Sequence, residues 1–350
     1  MLPDMTDTST RPDSLDATYR GVMLARTGGP EVLELVSLPT RLPGEGEVLV
    51  RVLAAGVAFA QVLMRRGIYA HAPAFPFTPG AEVVGEIVAV GSGVHEWKAG
   101  DRVTALSGVG GYAELTLLPA DILVRVPDGL DPAVVAALPM NYVTAHHLLH
   151  RAAKVTRGET VLVHGASGGV GTALLQLARL AGVTAVGTGS PRKLPLVRAL
   201  GAIALDYTRG NVAQQVLDLV GPVDVALDPL GGDHVLESVR ALRPGGRLVV
   251  YGYSAPGAAT PEAAATLRER MARWNAEPNG VRASGYSLGA LARESPRVVR
   301  DDLAELVALL AEGRIAPIIA ERLPLAEVRR AHELMEAGQV AGKLVLVPDR

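Results

Sequence analysis

The sequence predicts an α/β chain of two domains, the first β-rich and barrel-like, the second built on a parallel sheet. Three observations carry this. The chain has 350 residues, too many for one ordinary core and enough for two. Its first third is a series of short β-branched runs broken by glycine and proline, which reads as closely spaced strands. From Thr160 onward, apolar strand patterns alternate with helical ones, which reads as a parallel sheet covered on both faces.

Taken in order, Met1 to Thr18 is rich in Asp, Thr, Ser and Pro and has no apolar stretch, so residues 1–18 are expected to be a disordered leader rather than a secretory signal. The first domain is expected over 19–145. Its strands include Glu47–Ala54, Ala81–Val90 and Arg102–Leu106, and its turns fall at Pro43-Gly44-Glu45, Pro79-Gly80 and Gly91-Ser92-Gly93. The second domain is expected over 146–284, with strands at Thr160–His164, Thr184–Gly187, Val223–Leu227 and Arg247–Tyr251. A helix should follow the first of these strands to about Ala181, and another should span Lys193–Leu200. The stretch 285–350 holds two further helices, Arg300–Gly313 and Val328–Ala337, and a closing strand at Lys343–Val347. Its pattern leaves open whether it adds another βα unit or returns to the first domain.

Composition narrows the function classes. The formal net charge is -2 with both signs interspersed, which gives no electrostatic footprint for nucleic acid or an acidic membrane surface. No apolar run approaches the length of a membrane span. Cysteine is absent, so disulfides, thiolate zinc sites and cysteine nucleophiles are excluded; this fits a reducing cytoplasm. The only lysines are Lys98, Lys154, Lys193 and Lys343.

The segment Val161 to Gly171 joins a strand to a helix through Gly165, Gly168, Gly169 and Gly171. The spacing is G-x-x-G-x-x-G rather than the commoner G-x-G-x-x-G, but the physical demand is the same. Glycines allow a tight turn and close approach of the backbone to a pyrophosphate, and the helix N-terminus supplies free N–H groups. The next strand discriminates between dinucleotides. A site for NAD usually carries Asp or Glu about 20 residues on, holding the ribose 2′-hydroxyl. Here the strand runs into Gly187-Thr188-Gly189-Ser190-Pro191-Arg192-Lys193, with no carboxylate. A hydroxyl and two cations suit a 2′-phosphate instead, so NADPH is the expected cofactor.

Several motifs together resemble the quinone oxidoreductase branch of the medium-chain dehydrogenase/reductase superfamily, from about Tyr19 to Pro348. They are Arg66-Gly67-Ile68-Tyr69, Pro79 to Gly85, Val90 to Val94, Gly100-Asp101-Arg102-Val103, Gly110 to Glu114, Thr144-Ala145, His164 to Gly171, Arg243 to Arg247 and Gly342-Lys343. The resemblance implies a GroES-like catalytic domain, a Rossmann doubly wound parallel-sheet domain and a C-terminal segment that returns to the catalytic domain. It also implies a homodimer. Zinc-dependent members of the superfamily use Cys, Gly-His-Glu and a four-Cys lobe; here the triplet reads Gly80-Ala81-Glu82, the stretch between Val103 and Tyr112 is too short for the lobe, and no Cys exists. No metal is therefore expected, and reduction of a polarised double bond in a small electrophile is expected over alcohol oxidation.

Carried over residue by residue, the resemblance places Ser167, Gly168, Gly169 and Val170 at the pyrophosphate and Ser190, Lys193 and Tyr207 around the 2′-phosphate. Tyr251, Gly252, Tyr253 and Ser254 should line the nicotinamide side, with Gly285, Tyr286 and Ser287 crossing back over the cofactor. Lys343 matches a Gly-Lys that contacts the cofactor or only closes the fold. One departure stands out. The family's Asn and Asp after the first Gly-Val are replaced by Ala58 and Gln61, which motivates one alternative, a non-redox tailoring enzyme such as a cyclase; a dinucleotide-binding sensor or interaction protein is a further alternative. For chemistry, Tyr69 is the first candidate to donate a hydrogen bond to a developing enolate oxygen, unless it is a packing aromatic. Thr144 is either a nicotinamide contact or a helix N-cap. Phe59, Met64, Tyr142 and Tyr253 are candidate pocket walls, with plain core as the alternative. The His146-His147-His150 cluster has no nearby carboxylate in sequence to complete a metal site, and His164 reads as packed.

Overall fold

The computed structural model describes residues 15–69, 72–278 and 280–348. It opens with an antiparallel hairpin, β1 (Thr18–Leu24) and β2 (Leu33–Pro39), in which Thr18 pairs with Pro39. Of the expected leader, residues 1–14 lie outside the described residues and Thr18 already belongs to a strand.

β3 (Glu47–Val57), β4 (Glu82–Val90), β5 (Arg102–Leu106), β6 (Leu115–Pro119) and β7 (Val124–Arg125) form the first large sheet, all antiparallel, with α1 (Phe59–Arg65) between β3 and β4. Strand β3 shows why. Val48, Val50 and Val52 share one face and are sealed in a core with Ile87 and Leu118, while Arg51 points outward.

The parallel sheet comprises β8 (Thr160–Val163), β9 (Thr184–Gly189), β10 (Ile203–Asp206), β11 (Val223–Asp228), β12 (Leu242–Val250) and β13 (Arg282–Gly285). Its spatial order is β10-β9-β8-β11-β12-β13, so the winding direction reverses between β8 and β11, the position where such sheets bind ligands at their carboxyl ends. The helices up to this point are α2 (Pro132–Val135), α3 (Val143–His146), α4 (Gly169–Ala181), α5 (Leu194–Ala199), α6 (Val212–Val220), α7 (His234–Ala241) and α8 (Pro261–Ala276). π-helical turns at Leu138–Tyr142 and His147–Ala152 extend α3 on both sides.

The last stretch is α9 (Leu288–Glu294), α10 (Pro296–Ala311), β14 (Ile319–Pro324), α11 (Val328–Glu336) and β15 (Lys343–Val347). Both strands join the first sheet, whose order is β14-β15-β3-β4-β5-β7 with β6 also on β3. That settles the question its periodicity left open. In α10, Val299, Leu303, Leu306, Val307 and Leu310 fall at helical spacing and are buried together; truncating the fully enclosed Leu306 to Ala would cost about 2–5 kcal/mol.

Some elements escaped the pattern reading. The strand expected from Arg247 begins at Leu242 and runs through Pro244-Gly245-Gly246 with a register irregularity against β11. β13 is an edge strand reading Arg-Ala-Ser-Gly with only Ala283 buried, so it lacks an apolar signature. Among the described residues no helix is long and apolar enough to cross a membrane.

Candidate cofactor site

The turn between β8 and α4 is shaped by its glycines. Gly165 has φ +63°, and a Cβ on Gly171 would lie 2.3 Å from the Gly165 carbonyl oxygen, so neither position accepts a side chain without moving backbone. The Gly168 N–H donates to the Gly165 carbonyl at 2.9 Å. Gly168 caps α4 without a side chain, which leaves the first-turn N–H groups of a 13-residue helix open to an anion. Ser167 is buried, and its carbonyl accepts from the Gly342 N–H at 2.8 Å, tying the turn to the start of β15.

At the neighbouring strand ends, Gly189 of β9 pairs with Asp206 of β10, which sets Ser190 and Tyr207 side by side just beyond. No acid ends β9. The Asp206 carboxylate is turned onto the Thr208 N–H and hydroxyl, at 2.9 and 2.7 Å. Tyr207 is half-exposed. Lys193 is partly buried, and its Nζ donates to the carbonyls of Gly338 and Val340, each at 2.7 Å. One of its three N–H groups is left for a further acceptor. Burial, and then the nearby Arg192, lowers its pKa.

On the other side of the switch point, the loops after β11 and β12 lock together. The Ser254 N–H and hydroxyl both donate to the Pro229 carbonyl, at 3.1 and 3.0 Å, and a Cβ on Gly252 would lie 2.5 Å from that same oxygen. Tyr251 and Tyr253 flank Gly252, the first held by its N–H to Asp228 O and the second partly exposed. Gly285 closes β13 opposite Val250, and Ser287 caps α9 by accepting from the Ala290 N–H.

Several expected site residues prove to be occupied elsewhere. The phenol of Tyr286 is engaged by the histidine cluster, donating to His147 Nδ1 at 3.0 Å. His147 Nε2 in turn donates to Asp302, which also accepts from Arg151. Burial keeps His147 neutral by lowering its pKa; burial alone would raise that of Asp302, but hydrogen bonds from Arg151 and His147 outweigh it and hold the carboxylate charged. A carboxylate thus does stand beside the histidine cluster, brought by α10 from far along the chain, but it is already bound to His147 and Arg151. Lys343 is buried and paired with the equally buried Glu82, so it closes the fold rather than facing a cofactor. Met64 and Tyr142 are buried among the hydrophobic cores of the first and second domain respectively. Phe59 opens α1 and is half-buried. Thr144 is buried inside the continuous helical segment, so it is no N-cap. Tyr69 rests its phenol oxygen against α9, 2.6 Å from where a Cβ on Gly289 would be, and burial raises its pKa. His164 is buried, within 3.0 Å of the Ser238 hydroxyl, which donates to Asp228.

Sequence reading gave no role to two residues that the structure engages. Gln61 stands where the resemblance expects Asp, and its Oε1 accepts from the Ala58 N–H at 2.8 Å, which caps the start of α1. Asn141 lies on the π-helical turn before α3 with its carboxamide against Gly169. Only the irregular helix brings it there, and no local sequence signal marks it.

A β-rich domain of the GroES-like kind, joined to a parallel sheet with a glycine turn at its switch point, defines a dehydrogenase-type architecture. The family models agree: "Alcohol dehydrogenase GroES-like domain" matches residues 44–128 and "Zinc-binding dehydrogenase" matches 200–346. The quinone oxidoreductase of Pseudomonas aeruginosa is 37% identical over 332 residues, covering 93% of this chain and 99% of that protein. The mouse synaptic vesicle membrane protein VAT-1 homolog is 34% identical over 343 residues, covering 94% and 84%. The crystal structure of Escherichia coli quinone oxidoreductase complexed with NADPH superimposes with a TM-score of 0.84 at 30% identity, covering 94% of this chain and all of that one. The chain belongs to the quinone oxidoreductase family of the medium-chain dehydrogenases/reductases.

Proposed function

We propose that the chain is an oxidoreductase that uses NADPH to reduce a small electrophile, a quinone or an α,β-unsaturated carbonyl, by hydride transfer without zinc. The end of β9 carries the reading. Where a 2′-hydroxyl would need an acid, the strand gives Gly189, Ser190 and then Lys193, beside a glycine turn with open helix N–H groups. The NADPH-bound Escherichia coli relative supports it. Ser167, Gly168, Gly169 and Val170 would hold the pyrophosphate by main-chain N–H groups and dipole. Ser190, Lys193 and Tyr207 would hold the 2′-phosphate. Tyr251 to Ser254 and the main chain at 285–287 would border the nicotinamide ring, which supplies the hydride when bound.

A catalytic zinc does not fit the residues present. Ala81 stands at the histidine position, no Cys exists, and Glu82 is already paired with Lys343. Stabilisation of a developing enolate oxygen then falls to hydrogen-bond donors. Tyr69 suits this because burial keeps its phenol protonated, and Thr144 is the second candidate. We propose a homodimer in solution on family grounds, and a cytoplasmic setting because a chain without cysteine suits a reducing compartment.

The test is consumption of NADPH, with NADH as control, against a panel of quinones and alkenals. Turnover with NADPH preferred supports the proposal. Tight NADPH binding without turnover would point to a sensor, and product formed with no cofactor consumed would point to the non-redox chemistry that Ala58 suggests. Failure of the folded protein to bind either pyridine nucleotide would overturn the reading.

A further inference from the structure

We propose that Asn141 binds the pyrophosphate–nicotinamide half of the dinucleotide, its Nδ2 donating to a phosphate oxygen at the N-terminus of α4. This rests on the dinucleotide reading above and adds a contact from outside the glycine turn.

The placement of Asn141 follows from a closed ring of contacts. The Met140 N–H donates to one oxygen of Glu82 at 3.1 Å, and the other oxygen pairs with Lys343. Gly342, next to Lys343, donates its N–H to the Ser167 carbonyl in the glycine turn at 2.8 Å. The chain at 140 and the turn at 167–169 therefore hang from one buried ion pair. Between them the π-helical turn, a form of helix frequent at functional sites, aims residue 141 at the first residue of α4. A Cβ on Gly169 would lie only 2.3 Å from Asn141 Nδ2 and 2.9 Å from its Cγ. Any side chain at the second glycine of the pair would push this carboxamide out of its place.

Asn141 is only 5% exposed, and no described residue hydrogen-bonds its side chain. A carboxamide enclosed to this degree ordinarily has a partner. Its polar atoms are not among the fully enclosed unpaired ones, whereas the adjacent Tyr142 hydroxyl is. The carboxamide thus keeps an opening, and it keeps it beside Gly169, where the open N–H groups of α4 also emerge. A phosphate oxygen only accepts hydrogen bonds, so Nδ2 is the atom that meets it.

The test compares dissociation constants for NADPH, NADH and 2′-AMP, which carries the 2′-phosphate but no 5′-phosphate and no nicotinamide. Asn141→Ala should weaken NADPH and NADH alike by about tenfold, the size of one hydrogen bond to a charged group, and leave 2′-AMP unchanged. Asn141→Asp keeps the shape, replaces the donor by a negative charge, and should weaken both dinucleotides further. Wild-type affinity in Asn141→Asp overturns the proposal. So does a parallel loss of 2′-AMP in both variants, which would mark Asn141 as a spacer for the turn. If the wild-type protein binds none of the three, the dinucleotide reading itself falls and this contact with it.

Discussion

Lys193 shows how much one side chain can be given to do. Two of its ammonium hydrogens already meet the carbonyls of Gly338 and Val340, which fix the head group with one donor to spare. Pre-positioned in this way, it should tell a 2′-phosphate from a 2′-hydroxyl. Lys193→Ala is expected to weaken NADPH binding far more than NADH binding, measured by titration of each; equal losses would remove Lys193 from the phosphate site. The place of Lys193 just beyond β9 was legible in the sequence because it depends on the few residues immediately after a strand. The fates of Tyr286 and Lys343 were not. Tyr286 is held by His147, 139 residues away in sequence, and Lys343 by Glu82, 261 residues away. No local pattern encodes such partners.

At the scale of the element, the strand–turn–helix unit separates glycines that space requires from glycines it does not. A Cβ on Gly171 would press on the Gly165 carbonyl and the Ala166 backbone, at 2.3 and 2.7 Å. On Gly168, whose backbone is extended, it would meet nothing nearer than 3.4 Å. Gly171→Ala should therefore destabilise the protein by about 1–3 kcal/mol, as overpacking does, whereas Gly168→Ala should cost less, about 0.5–1 kcal/mol, because it trades a good N-cap residue for a poor one without a clash. Chemical denaturation of the two variants checks this, and a reversed order would mean that the turn is built differently. The unit was readable from sequence because glycine spacing, β-branched residues and helical periodicity all lie within one short window. α3 was not, because its π-helical turns shift the periodicity that would have marked a face, and β13 was not, because an edge strand with a single buried side chain carries too little pattern.

At the scale of the whole molecule, the Glu82–Lys343 pair is the tie between β4 and β15, and through Gly342 it reaches the glycine turn of the other sheet. Both groups are shut away from water. Removing one of them strands the other's charge in the core, so Lys343→Met should lose about 3–5 kcal/mol of stability, while Glu82→Gln combined with Lys343→Met should recover much of it. Denaturant melts of the single and double variants measure this; a double variant no more stable than Lys343→Met alone would show that the pair is not the source of the loss. The two-domain fold class could be inferred from sequence, since each sheet has its own period, but this tie could not. It also bears on the order in which the protein can be made. β15 lies in the interior of the first sheet, between β14 and β3, and the residue before it holds the nucleotide turn. A ribosome will have extruded that turn long before it adds Gly342, so a nascent chain should acquire full nucleotide affinity only once β15 has been made and has taken its place in the first sheet.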